Sequence, residues 1–270
     1  MNKNILFATI SSVLFASCTH NQDKHITELF TKQPAAYAKT RDAWIVEQSL
    51  GNPSNSFSLE IEMGEAAHLR AKSIPPGERF IFASIDPIRE KIEVPFEFEI
   101  EGGLLKIYDR NGVRVQNEIP LVSTEPLLLG KPRIYALVSK ETYSIATVEF
   151  LPFPIAAESE TGARLSLAVT HPMLTRFQLA ASGFTPGEKV HLTHRSGERT
   201  EEIQMFANAE GTFSFGVNPT ILGRLGGEAS LTAVRENSEE IVLDYPWGSQ
   251  LEVEAFRQNT RIPIVFSLKN

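Results

Sequence analysis

Leu69-Arg-Ala-Lys-Ser-Ile-Pro-Pro-Gly-Glu78 and Leu179-Ala-Ala-Ser-Gly-Phe-Thr-Pro-Gly-Glu188 are one phrase written twice, about 110 residues apart. Leu, Ala, Pro, Gly and Glu recur in step, a basic residue follows each copy (Arg79, Lys189), and an apolar alternating stretch comes next. Further on, Tyr108-Asp-Arg-Asn-Gly112 matches Phe206-Ala-Asn-Ala-Glu-Gly211 with a one-residue gap. Gly130-Lys-Pro-Arg-Ile-Tyr-Ala matches Gly227-Glu-Ala-Ser-Leu-Thr-Ala, and the polar turn Ser139–Thr142 matches Glu236–Glu240. The first copy carries extra residues around Ile85 to Pro95. Two units of roughly a hundred residues, built from short strands and turns, have the size and rhythm of β-sandwiches.

Working outward, the period of two is sustained. Phe57, Leu59, Ile61 and Met63 alternate with Ser58, Glu60 and Glu62, and Val94, Phe96, Phe98 and Ile100 alternate with Pro95, Glu97 and Glu99. Such alternation suits sheets that are covered on one face. Phe80, Phe82, Phe96, Phe98, Phe213 and Phe215 share the inward parity, which predicts core. Asn111-Gly112 is a hairpin turn signal. Residues 25–51 are the one stretch with helical spacing: Ile26, Leu29 and Phe30, then Tyr37, Trp44 and Ile45 after Pro34, with Gly51 as a stop. Trp44-Ile45-Val46 could equally begin a strand.

The second copy resembles bacterial immunoglobulin-like domains over roughly residues 160–248. Gly183-Phe-Thr-Pro-Gly-Glu-Lys-Val190 has the form of their opening phrase, and Asn208-Ala-Glu-Gly-Thr-Phe213 that of their middle hairpin. At the other end, Lys3, the apolar run Ile5 to Phe15 and Phe15-Ala-Ser-Cys18 resemble a bacterial lipoprotein signal, too short to remain as a membrane span. The resemblance implies lipidation of Cys18, the single cysteine. Thr19 in the next place, where Asp would retain an enterobacterial lipoprotein in the inner membrane, implies an outer-membrane destination in a diderm host. The expected organisation is a signal peptide (1–17), a tether with a short helical segment (18–55), a first Ig-like sandwich (56–155) and a second (160–270). The fold class is all-β.

The formal charge is −7, with 42% hydrophobic and 22% charged residues. That composition is globular. No Lys/Arg cluster tracks phosphates, which argues against a nucleic-acid partner. An acidic body also leaves membrane attachment to the acyl chains on Cys18, several of which hold firmly where one does not. With that cysteine lipidated no disulfide remains, so stability must come from the core.

Motifs that carry chemistry are scarce. His191 and His194 lie three apart on a predicted strand, so they face opposite sides and one metal cannot easily bind both; ordinary surface or half-buried histidines are the favoured reading. There is no H-E-x-x-H, no G-x-S-x-G, no P-loop and no dinucleotide fingerprint. Gly223-Arg-Leu-Gly-Gly227 is glycine-rich but joins two predicted strands. Asp86 with Glu90 and Glu239 with Glu240 lack the ligand spacing of calcium loops. No catalytic residue, metal site or cofactor is expected. Tyr245-Pro-Trp247-Gly and Tyr135 are the candidate binding aromatics, through stacking on a sugar ring or anchoring a partner. The reading is a lipid-anchored envelope protein that makes contacts: adhesion, scaffolding or docking to a protein or an envelope polysaccharide. The alternative is a carbohydrate- or small-ligand-binding lipoprotein, and behind it an envelope hydrolase.

Overall fold

The computed structural model describes residues 41–109, 111–121 and 127–269. The expected signal peptide, Cys18 and the tether up to residue 40 lie outside the described residues.

The chain folds into two β-sandwiches. In the first, β1 (Ser58–Met63) and β2 (Ala67–Lys72) form a hairpin, followed by β3 (Phe80–Asp86), β4 (Lys91–Glu101), β5 (Leu104–Asp109), β6 (Gly112–Gln116), β7 (Glu118–Leu121), β8 (Arg133–Ser139) and β9 (Ile145–Phe150). One sheet has the order β6-β5-β4-β3-β8-β9. The expected phenylalanines fill its inner face: Phe80, Phe82, Phe96 and Phe98 are buried, and Phe82 stacks on Phe96 at 4.9 Å. The outer face of the same sheet is also apolar, through Ile81, Ala83, Ile85, Ile134, Ala136 and Val138. Helix α1 (Arg41–Ser49) covers it with Ile45, Val46 and the following Leu50. A helix therefore forms where Trp44-Ile45-Val46 left strand and helix open. Trp44, one residue off the buried stripe, is half-exposed.

The second sandwich contains β10 (Ile155–Glu158), β11 (Arg164–Val169), β12 (Phe177–Ser182), β13 (Lys189–Ser196), β14 (Arg199–Phe206), β15 (Phe213–Val217), β16 (Gly226–Val234) and β17 (Glu240–Gly248). Its sheets are β10-β11-β12-β15 and β14-β13-β16-β17. Leu167, Leu179, Phe177, Leu192, Leu231, Leu243, Tyr245 and Trp247 meet between them in one core. Helix α2 (Ser249–Arg257) and β18 (Ile264–Leu268) complete the described chain.

The strand order repeats: β1-β2-β3-β4-β7-β8-β9 take the places of β11 through β17. Two features depart from the expected organisation. The extra residues of the first copy are the β5–β6 hairpin at the sheet edge, while Ile85 to Pro95 spans the β3–β4 turn and the flanking strands. The repeat had matched the turn after Tyr108 to the one after Phe206, which placed the insertion too early. Second, the stretch assigned to the second module as 160–270 does not stay there. β18 crosses to the first, pairing parallel with β2 and antiparallel with β7, and β10 joins the second module from Ile155.

The modules share a packed junction. Ile88, from the β3–β4 turn, and Leu128 and Leu129, before β8, pack on the core of the second module. Gly130 has φ +65° and lies where a Cβ would stand 2.8 Å from Ile155 Cδ1. Its amide donates to Phe153 and its carbonyl accepts from Val169, so only glycine fits this crossing.

Candidate functional site

The aromatic residues expected to bind are inside. Trp247 is 0% exposed, Tyr245 2% and Tyr135 6%. The alternation of β17 turns Tyr245 and Trp247 inward, and the register sets Gly227 opposite Trp247, leaving room for the indole. Tyr245 lies 5.1 Å from the Phe177 ring and shares a 2.9 Å hydrogen bond with His194 Nε2. Tyr135 stacks on Phe82. A shallow aromatic cleft built from these rings is thereby excluded, and with it the motive for a sugar-binding reading. Burial pushes the Tyr245 hydroxyl pKa up. Burial also holds His194 below the usual histidine value, against the opposing pull of Glu201. His191 faces the other way and is exposed, so the two histidines are separated by the strand as expected.

Of the carboxylates considered for calcium, Asp86 and Glu239 are committed elsewhere. Asp86 accepts from Lys131 Nζ at 2.5 Å and from the amides of Ile88 and Arg89, which ties the β3–β4 turn to the approach to β8. Burial raises the Asp86 pKa, but the Lys131 ammonium outweighs it and leaves the group below its ordinary value. Among the described residues no group of three or more His, Cys, Asp and Glu is placed to hold a metal, and no helix is long and apolar enough to cross a membrane.

A shallow concavity lies beside the repeated phrase, lined by Thr185, Pro186, Glu188, Arg235, Glu236 and Asn237. Its polar groups are bonded to one another. Arg235 Nε and Nη2 donate to the two Glu188 oxygens, each at 2.8 Å, and Nη1 donates to Glu239 Oε2 and Thr161 Oγ1. This fork-on-fork pairing holds the Glu188 carboxyl at a pKa of about 2. The Thr-Pro-Gly-Glu phrase thus supplies a clasp between strands.

What is left open is the end of the second sandwich where the 170–176 turn, the 218–225 loop and α2 come together. Leu222 is 103% exposed, Leu225 82%, Phe256 67% and Met173 65%, with Val253 half-exposed. They come from three segments that meet in the backbone. The Gly248 amide donates to the Leu174 carbonyl, and the Ser249 amide donates to the Leu225 carbonyl. Gly248 has φ +59°, and a Cβ there would collide with Leu225 O, so the loop lies directly on the start of α2. That helix buries Leu251 and Ala255 and turns Val253 and Phe256 outward. Arg176 and Arg224 are exposed beside them and form no ion pair among the described residues. Monomers seldom leave large apolar side chains clustered in water without a partner. The sequence marks 223–227 only as a loop; Leu225 within it and Leu222 just before it stand exposed, with the Leu225 carbonyl held by the start of α2.

No family model matches the chain, and no curated protein matches it. Among solved structures, a similar one is the "tetra-tandem repeat in extending region of large adhesion protein". The identity is 10%, the match covers 72% of this chain and 48% of that one, and the TM-score is 0.22. The matched part is thus about half of that chain's length.

Proposed function

We propose that this is a non-catalytic contact protein of the bacterial cell envelope, held to a membrane by lipid on Cys18 and meeting a protein partner through the apolar end of its second sandwich. The carrying observation is the cluster Met173, Leu222, Leu225, Val253 and Phe256, presented by a rigid sandwich. Two exposed arginines at its border suit a partner whose apolar surface is ringed by carboxylates. The modules are read as relatives of bacterial immunoglobulin-like domains used as adhesion or scaffolding units. If the host is diderm, Thr19 directs the protein to the outer membrane.

The test is proximity crosslinking in native envelopes with the wild type, the Leu222→Ser/Leu225→Ser double variant and Cys18→Ser. The reading expects one set of protein crosslinks, lost in the double variant. With Cys18→Ser the chain leaves the membrane fraction but keeps those crosslinks. Crosslinks indifferent to both leucines, or binding of the end surface to plain vesicles in place of protein, contradict it.

A further inference from the structure

The two sandwiches answer the same topological question differently. In the second, β12 pairs directly with β15, from Phe177↔Val217 to Ala181↔Phe213. In the first, the corresponding β2 and β7 do not touch. β18 lies between them, in register from Ile264↔Ala67 to Leu268↔Ala71 on one side and from Ile264↔Leu121 to Ser267↔Glu118 on the other. The intruder is no edge strand. Phe266 is fully buried and lies 4.9 Å from the Phe82 ring, 5.3 Å from Phe98 and 5.8 Å from Phe96. Ala67 and Ala71 on β2 leave the width that Ile264 and Leu268 occupy. Pro263 O accepts from the Ala67 amide and the Lys269 amide donates to Ala71 O, so the ladder continues past both ends of the strand. Lys269 Nζ reaches Glu60 and Glu62 on β1 at 3.4 Å each.

We infer that the space between β2 and β7 is a strand-acceptor site for an extended segment of pattern apolar-x-apolar-x-apolar. Ile264-Val-Phe-Ser-Leu268 of the same chain occupies it, and the identical segment of a second copy can do so instead. The seat recognises a main-chain ladder and two or three inward side chains, the mode by which sheets take up added strands. None of those contacts depends on which chain carries the segment. The occupant arrives from the neighbouring module through residues 258–263; exchange between copies requires that this connection release Leu127, whose amide donates to Thr260 O at 2.8 Å and whose carbonyl accepts from Thr260 Oγ1 at 2.6 Å, and swing outward while α2 stays packed. Such exchange of an identical element is a low-cost route to association. The inference is independent of the surface proposed above for a partner.

Two full-length variants separate the halves of the interaction. Phe266→Asp cannot donate but keeps the seat; Leu69→Glu cannot accept but keeps the strand. The Phe266→Asp chain should bind a labelled peptide of residues 262–270 at one to one, and the same peptide carrying Asp at 266 should bind roughly a hundredfold more weakly. Refolded together, the two variants should pair as a one-to-one complex by native mass spectrometry, while neither pairs with itself. Hydrogen exchange over β13 and β16 shows that the second module is folded in every sample. No peptide uptake by Phe266→Asp with that module intact overturns the acceptor site. Uptake of peptide without pairing of the two chains overturns exchange between copies.

Discussion

The first and second sandwiches share seven strands in one order, yet they are closed by different means. The second is sealed by its own β12–β15 pair and by the Glu188–Arg235 clasp. The first borrows β18 as its central strand, carries an additional helix on its outer face, and replaces the clasp with a single hydroxyl, Ser139 Oγ donating to Glu78 Oε2 at 2.9 Å. Ser139 and Arg235 occupy equivalent places, since each amide closes its hairpin onto Ser144 O or Glu239 O. One strand plan thus has a version closed by its own strands and a version closed by a borrowed one. The dependence is unequal: the first module takes a whole central strand from the segment beyond the second, while the second receives from the first only the packing of Ile88, Leu128 and Leu129 on its core.

The sharpest way to break this comparison is Phe266→Ala. It should cost the first module about 4 kcal/mol, the usual penalty for emptying a buried aromatic site, and leave the second unchanged. Urea unfolding should then split into two transitions, with only the earlier one moved. Next in size is Arg235→Ala, which strands the buried Glu188 carboxylate and should destabilise the second module by about 3 kcal/mol. The counterpart Ser139→Ala should cost the first about 1 kcal/mol. Equal costs in the two modules would dissolve the contrast between clasp and hydroxyl.

Acid sharpens the same contrast. Glu188 has a folded pKa of about 2 against an ordinary 4.5. Its contribution to stability is complete above 4.5 and is lost as pH falls from there towards 2, because the unfolded chain takes up the proton first. The urea midpoint of the second module should fall across that window, and Glu188→Gln, already weakened, should flatten the slope. Smallest in stability is the Leu222→Ser/Leu225→Ser variant. Both side chains already stand in water, so its unfolding free energy should stay within about 0.5 kcal/mol of wild type, even though partner crosslinks disappear.

Much of the fold was legible because it is local and periodic. The alternating phenylalanines placed the inner face of β3 and β4, and the repeated Pro-Gly-Glu phrase placed the turns before β3 and β13. The donated strand was not legible. Ile264-Val-Phe-Ser-Leu268 alternates as any strand does, and its parallel pairing with β2 is decided by a vacancy some two hundred residues upstream in the chain. Trp247 and Tyr245 were read by type, as aromatics that break a pattern, whereas register set them opposite Gly227 and Ala229, on the inward face. The apolar end was missed for a related reason. Met173, Leu222 and Phe256 belong to three unrelated segments with no common period, and only the folded backbone brings them to one place.

The dependence of the first sandwich on β18 is tested most directly by native-state hydrogen exchange on the full chain and its Phe266→Asp variant. The account predicts that amides of β2, β7 and β18 lose protection together, while β11 through β17 exchange as in wild type. Retained protection of β2 and β7, or equal loss in both modules, would contradict it.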